Sequence, residues 1–148
     1  DGEKTSMIRN VPQSQLAIHK RIKYRSPVNH PTIVFRREIF KKYKYEDFSL
    51  FEDYYQFFKL VKSNCKIGNI PEVLVYMRAD NDMYKRRGGI AYIKKYIIFL
   101  IKIYKEKYIN IFEYIFSFMV RIPIMLLPTS IRKMFYHRFL RKKNKEYR

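Results

Sequence analysis

Hydrophobic and polar positions follow a helical repeat in several stretches of the chain. After Ser49, aromatic and apolar residues recur at three- and four-residue spacing, and they predict a helix over residues 50–63. Ser49 and Glu52 fit the Ser-x-x-Glu capping box, in which each side chain satisfies a free N–H group of the first turn. The predicted helix therefore begins with two adjacent carboxylates, Glu52 and Asp53.

Two short apolar runs have the composition of buried strands. Residues 32–35 form a β-branched and aromatic run directly after a proline, and residues 73–76 form a second one after a Gly-Asn turn signal. Short helices are predicted near residues 14–24 and over residues 36–40, and residues 80–89 are expected to form a polar, basic loop. Strands that alternate with helices predict the α/β fold class.

Three helices are predicted after residue 90. The first is amphipathic, with lysines on the face opposite its apolar residues. The second, over residues 110–121, is apolar except for one narrow stripe and is expected to be buried on most sides. Its stripe consists of Glu113, Ser117 and Arg121. Thr129 or Ser130 is expected to cap the third helix.

The positive charge is concentrated in the second half of the chain. The formal net charge is +19, but residues 1–83 carry 15 basic and 10 acidic groups, whereas residues 84–148 carry 17 and 3. The basic residues of the second half share helices with bulky aliphatic residues, a pattern typical of contact with anionic lipid headgroups rather than of a nucleic-acid interface. Peripheral contact with an anionic membrane and simple packing of a helical subdomain both remain open. We expect no nucleic-acid partner.

Several kinds of site are excluded or disfavoured by the sequence. The single cysteine, Cys65, rules out an internal disulfide and a cysteine-cluster metal site. The apolar run over residues 122–131 is about half as long as a membrane-spanning helix needs to be. Asp80-Asn81-Asp82 has the Asp-x-Asp spacing of a metal site, but the basic run after it favours a turn. We therefore predict no metal ligands in this chain.

The candidate chemistry centres on Asp53. If Ser49 and Glu52 already cap the helix, then Asp53 is left without a structural role and is the stronger candidate for a reactive carboxylate. His30 precedes the first predicted strand, where it fits either a ligand contact or a hydrogen bond within a turn. Arg86 and Arg87 come just before two glycines and can clamp a phosphate, although basic loops are more often simply solvated.

An ordered set of five segments resembles the C-terminal half of bacterial family 2 glycosyltransferases, which build capsule, exopolysaccharide and lipopolysaccharide chains. The segments are residues 26–36, 51–55, 69–78, 82–89 and 126–132. The resemblance implies a GT-A fold, with residues 1–89 as its acceptor-side and catalytic-base part. Residues 90–148 would form a basic amphipathic helical tail. The nucleotide-binding N-terminal half is absent, so we expect a fragment or a separately encoded piece of such an enzyme.

The resemblance also implies an activity and roles for individual residues. Enzymes of this kind transfer a sugar with inversion from a nucleotide diphosphate donor to a glycan or lipid-linked acceptor. Asp53 would be the general base, Glu52 a supporting and capping residue, and His30 an acceptor-side residue. Arg86 and Arg87 would lie near the diphosphate.

The remaining expectations concern the cofactor and the location. The resemblance implies a divalent metal, magnesium or manganese, whose ligands are not in this chain. It also implies a cytoplasmic enzyme, with peripheral association at the inner face of the cell membrane as a further hypothesis. The alternative is a noncatalytic basic protein that binds membranes or nucleic acid.

Overall fold

A computed structural model describes residues 7–48, 50–77, 81–139 and 142–143, and these residues are mainly helical. The helices are α1 (Gln15–Ile22), α2 (Arg37–Lys42), α3 (Glu52–Lys62), α4 (Asn81–Lys85), α5 (Ile90–Lys105), α6 (Ile111–Leu126) and α7 (Thr129–Phe139). A 3₁₀ turn spans His30–Thr32, and two-residue strands β1 (Met7–Ile8) and β2 (Lys142–Lys143) pair antiparallel. The predicted helices over residues 14–24, 36–40 and 50–63 are each found within about two residues of their predicted ends.

The core is built from aromatic rings around Phe99 of α5. Phe51 stacks on Phe99 with ring centroids 5.0 Å apart, and Tyr54 lies 5.1 Å from the same ring. Phe58 contacts it from the next turn of α3, at 6.2 Å. Such pairs contribute about 0.5–1.5 kcal/mol each beyond the burial of their surface. The start of α3 is therefore anchored against α5.

Helix α6 begins at the capping box that its sequence specifies. The Asn110 side chain accepts the Glu113 N–H, and the Glu113 side chain accepts the Asn110 N–H, both at 2.9 Å. The second carboxylate oxygen of Glu113 pairs with Lys23 at 2.7 Å. Glu113 therefore both caps α6 and ties it to the end of α1.

The expectation that α6 is buried on most sides is wrong. Its polar stripe faces inward, where Ser117 is buried and Arg121 lies over the rings of Tyr54 and Tyr96. The opposite, apolar face is exposed, with Phe112 at 80% of its full accessibility. Helix α6 is therefore held to the described body of the protein by these polar contacts together with Phe118, Ile122 and Met125, which pack against the core.

The predicted basic loop at residues 80–89 is in part helical, because α4 occupies residues 81–85. Arg132 of α7 is buried and donates hydrogen bonds to the carbonyls of Tyr84 at 2.9 Å and Leu127 at 2.7 Å. Its guanidinium occupies the space beside Gly88, where an added Cβ would lie 1.7 Å from Nη1. Arg132 thus joins α4, the end of α6 and α7. Helix α7 includes both Thr129 and Ser130, so neither residue precedes it as a cap.

Neither predicted strand forms a sheet, and the α/β expectation is corrected accordingly. Residues 32–35 comprise the end of the 3₁₀ turn and unpaired backbone, with Val34 95% exposed. Residues 73–77 are exposed and form no strand. A strand needs a hydrogen-bonded neighbour, and within the described ranges only β1 and β2 pair with one another. Val34 and residues 73–77 therefore expose apolar side chains, whereas Ile33 and Phe35 pack against the core.

Candidate functional site

Asp53 lies in the first turn of α3. Its Oδ1 accepts the backbone N–H of Tyr54 at 2.6 Å, and its side chain is partly buried. Phe51, which precedes the helix, supplies no side-chain cap. The proposed cap residue Ser49 lies outside the described residues, so the capping role of Glu52, which is exposed, stays a prediction. The side chain that accepts a backbone hydrogen bond in this turn is that of Asp53.

The position of Asp53 is set by the residues on either side of it. Phe51 and Tyr54 both pack on Phe99, and the Tyr54 hydroxyl donates a hydrogen bond to the carbonyl of Ile22 in α1. Because these neighbours are buried, the backbone at Asp53 has little freedom to move. Only one carboxylate oxygen is engaged by the Tyr54 N–H, and the other is available to a ligand.

One open cleft of about 1650 Å³ brings together four of the five residues predicted from the sequence. Asp53 and His30 line it, and so do Arg86 and Arg87 from the turn after α4. Glu52, the fifth, is not part of its lining. His30 and Arg87 are 57 positions apart in the sequence, so it is the fold that brings these residues together.

The cleft is strongly cationic. The arginines that line it are Arg9, Arg25, Arg36, Arg86, Arg87 and Arg121. The carboxylates that line it are Asp53 and Glu72. Guanidinium groups match the geometry of phosphate and carboxylate oxygens, so this lining suits an anionic ligand that approaches Asp53.

Arg25 and Arg121 are the two cleft residues whose charge is most affected by the fold. Burial and the nearby charge of Arg21 lower the pKa of Arg25 to about 10, which leaves it charged at neutral pH. Burial acts to lower the pKa of Arg121 too, but Tyr96 and Tyr54 outweigh it and raise that pKa above its ordinary value. Its guanidinium lies 5.0 Å from the ring centre of Tyr96. Both therefore present fixed positive charge.

Two tyrosines lie near Asp53. Burial raises the pKa of Tyr45, and the charges of Asp53 and Glu52 raise it further. Burial also raises the pKa of Tyr92, with a smaller contribution from Asp53. The Tyr45 ring meets His30 edge-on at 5.9 Å, so it links the two predicted site residues. The sequence predicted that His30 lies at the entrance of a strand. In the structure, His30 is instead exposed in the 3₁₀ turn.

Within residues 7–48, 50–77, 81–139 and 142–143, no three histidine, cysteine or carboxylate side chains cluster in a way that could hold a metal ion. Asp80 lies outside these ranges. Asp82 pairs with Lys85 at 3.5 Å across one turn of α4. The described residues therefore do not fit a divalent metal.

Sequence reasoning missed Arg25 and Arg121 as cleft residues. Arg121 did carry a signal, because it is the one cation of an otherwise apolar helix, and such a residue usually has a buried partner. Arg25 carried none, since it is one of 32 lysines and arginines in the chain. Its role depends on contacts across the fold.

Three curated proteins are similar to this chain over most of its length. A UDP-Gal:α-D-GlcNAc-diphosphoundecaprenol β-1,3-galactosyltransferase of Escherichia coli is 38% identical over 142 residues, which is 95% of this chain and 51% of the relative. An uncharacterised glycosyltransferase of Haemophilus influenzae is 38% identical over 90% of this chain and 50% of its own length. An amylovoran biosynthesis glycosyltransferase of Erwinia amylovora is 26% identical over 88% and 50%. No family model and no solved structure matches.

These relatives confirm the resemblance to glycosyltransferases that the ordered motifs indicated. All three are named as glycosyltransferases, and one is assigned to the biosynthesis of a polysaccharide. The chain spans about half the length of each relative. The similarity therefore supports classification of the chain as a glycosyltransferase, and the matched region spans about one half of each relative.

Proposed function

We propose that this chain forms the acceptor-side and catalytic-base half of an inverting glycosyltransferase that acts in cell-surface polysaccharide synthesis. The observation that carries the proposal is that Asp53 shares one cleft with six arginines. A carboxylate can remove a proton from an acceptor hydroxyl, and arginines can stabilise the negative charge of a departing diphosphate. Both requirements of a single displacement are therefore present on one surface.

The chemistry of the step follows from these two features. The acceptor oxygen attacks the anomeric carbon of the donor sugar while the bond from that carbon to the diphosphate breaks. Asp53 takes the hydroxyl proton, and the electron pair of the broken bond leaves with the nucleotide diphosphate. Arg86 and Arg87 lie in a turn beside the cleft, where we assign them to the diphosphate. His30, at the cleft rim, would contact the acceptor.

The substrates are proposed by analogy with the relatives. The Escherichia coli relative is named for a UDP-galactose donor and a lipid diphosphate acceptor. We propose the same classes of substrate here, namely a nucleotide diphosphate sugar and a glycan or lipid-linked acceptor. Because the described residues do not fit a divalent metal, no step of this proposal is assigned to one.

The donor-binding half is expected to come from sequence outside this chain. Residues 33–35 and 73–77 have strand-forming composition, and Val34 and residues 73–77 are exposed, but no strand lies beside either run in the described structure. We propose that they pair with strands of a donor-binding half, as the relatives' twofold greater length allows. Residues 1–89 would then complete a GT-A domain, and residues 90–148 would form its helical tail, whose first helix, α5, packs against α3.

A chimera tests whether this chain completes such an enzyme. The part of the Escherichia coli relative that this chain does not match is joined to this chain, and galactosyl transfer from UDP-galactose to a lipid-diphosphate acceptor is measured. We expect transfer well above that of either part alone. A folded chimera that binds UDP-galactose but transfers no sugar to acceptors of the glycan and lipid-linked classes would contradict the proposal.

A further inference from the structure

The outer face of α6 is an apolar stripe that the described part of the protein leaves largely exposed, although the Phe116 ring meets the Tyr24 ring edge-on at 5.4 Å. We define this α6 outer face by six exposed residues: Phe112, Ile115, Phe116, Met119, Pro123 and Leu126. They recur at three- and four-residue spacing, so they lie on one side of the helix over about 21 Å of its length. None of the six is charged or polar.

Helix α6 is apolar on its inner side and on its outer side. On the inner side, Phe118, Ile122 and Met125 pack against the core, and Arg121 covers two tyrosine rings. A surface helix normally exposes a polar side to solvent. The exposed side of α6 is apolar instead, as an interaction surface would require.

The surroundings of this face are positively charged. A shallow depression next to the start of α6 is lined by Lys23, Lys105 and Lys107. The acids of this region are engaged elsewhere: Glu113 with Lys23, and Glu106 with Lys102 and the Tyr55 hydroxyl. Lys23 is neutralised by Glu113, whereas Lys105 and Lys107 have no acidic partner among the described residues and leave positive charge next to the apolar stripe.

We propose that the α6 outer face docks on the surface of an anionic lipid bilayer. The helix would lie in the plane of the interface with Phe112, Phe116 and Met119 in the acyl boundary, and lysines would contact the headgroups. No helix among the described residues is long and apolar enough to cross a bilayer. The proposal goes beyond sugar transfer and is independent of the role of Asp53.

Charge favours a lipid surface over a second copy of this chain. Two copies that met through the α6 outer face would bring together two proteins with a net charge of +19 each, and the lysines at the start of α6 would repel one another. Anionic headgroups supply the opposite charge around an apolar layer. A bilayer thus matches both the apolar stripe and the positive charge beside it.

Flotation of the full chain with lipid vesicles tests the proposal. We expect binding to vesicles that contain phosphatidylglycerol, and much weaker binding to vesicles of phosphatidylcholine alone or at high salt. Phe116→Asp should reduce the bound fraction by about tenfold, since it places a charge in the acyl boundary. Leu16→Asp is the matched control: Leu16 is an exposed apolar residue on α1, and its replacement should leave binding unchanged.

Further measurements separate this proposal from other occupants of the face. Circular dichroism checks that Phe116→Asp folds, and Lys105→Glu combined with Lys107→Glu should weaken binding to the anionic vesicles alone. The chimera with a donor-binding half should float as the chain does. The proposal is overturned by any of three results: binding that Phe116→Asp leaves intact, a dimer of the chain that Phe116→Asp dissociates without any flotation, or loss of flotation in the chimera.

Discussion

At the scale of single residues, the candidate site combines a positioned carboxylate with fixed cations. Asp53 is held by one backbone hydrogen bond and by two flanking aromatic residues that pack on Phe99. Asp53, His30, Arg86 and Arg87 could be selected from the sequence because their residue types and order resemble a known family. Arg25 and Arg121 could not, because their contribution comes from burial and from partners distant in the chain.

The sequence predicted that Asp53 has no structural role, and the structure of this turn shows that it has one. It accepts the Tyr54 N–H and so helps to satisfy the first turn, a role that the sequence analysis gave to Ser49 and Glu52 alone. A carboxylate at a helix N-terminus is stabilised in its charged form, which is also the form that a general base requires. The structural contact and the proposed chemistry are therefore compatible.

Glu46 gives a residue-scale prediction about pH. Burial acts to raise its pKa, but hydrogen bonds from Lys59 at 3.1 Å and Lys102 at 3.2 Å outweigh burial and lower the pKa below its ordinary value of 4.5. A carboxyl with a lowered pKa stabilises the folded state above its ordinary pKa, and this contribution is lost as the pH falls through the folded value.

We therefore expect Glu46→Gln to lower the free energy of unfolding at pH 7 by about 0.5–1 kcal/mol, a small value because the side chain is half exposed. The difference from wild type should become smaller at pH 3, because Glu46 is increasingly protonated as the pH falls through its lowered pKa. Urea unfolding at both pH values measures it, with Asp47→Asn as a control on the neighbouring exposed acid. A loss of equal size at the two pH values would show that the ion pairs are not its cause.

At the scale of elements, helices were predictable and strands were not. Helix α3 spans Glu52–Lys62 against a prediction of residues 50–63, because its apolar spacing is a local property of the chain. The runs at residues 32–35 and 73–76 have strand composition, but pairing depends on a neighbour that local sequence does not supply. The inward polar stripe of α6 was visible in the sequence, and only the structure shows which side of the helix faces the body.

Arg132 gives an element-scale prediction. It is buried and donates to the carbonyls of Tyr84 and Leu127, so it links α4 and α7 across the end of α6. Arg132→Met should lower the free energy of unfolding by about 2–3 kcal/mol, because two buried carbonyls lose a charged donor. Arg138→Met, at an exposed position of the same helix, is the control, and urea unfolding is the measurement. Equal effects of the two substitutions would contradict the assigned role.

At the scale of the whole molecule, the described structure is a helical body with two exposed apolar surfaces. One consists of Val34 and residues 73–77, which form no strand, and the other is the α6 outer face. Under the proposed function, the α/β class expected from the sequence would require a sheet whose other strands come from a donor-binding half. A sheet could not be predicted reliably from two strand-like runs, because a sheet also needs the neighbouring strands.

Hydrogen exchange of the chimera tests how the first surface is used. In the isolated chain, the amides of residues 73–77 should exchange rapidly because they pair with no neighbouring strand. In an active chimera they should be protected, while α6 should exchange alike in both proteins. Mass spectrometry of the exchanged peptides gives the comparison. Rapid exchange of residues 73–77 in a chimera that transfers sugar would rule out the proposed strand pairing.

The central claim is that Asp53 is the base of the transfer step, and substitution in the chimera tests it most directly. At saturating donor and acceptor, Asp53→Asn should lower kcat by about 10²–10⁴, the contribution typical of a positioned general base. Glu52→Gln, which changes the adjacent carboxylate, should stay within a few-fold of wild type. A folded Asp53→Asn enzyme whose kcat also stays within a few-fold of wild type would contradict the account.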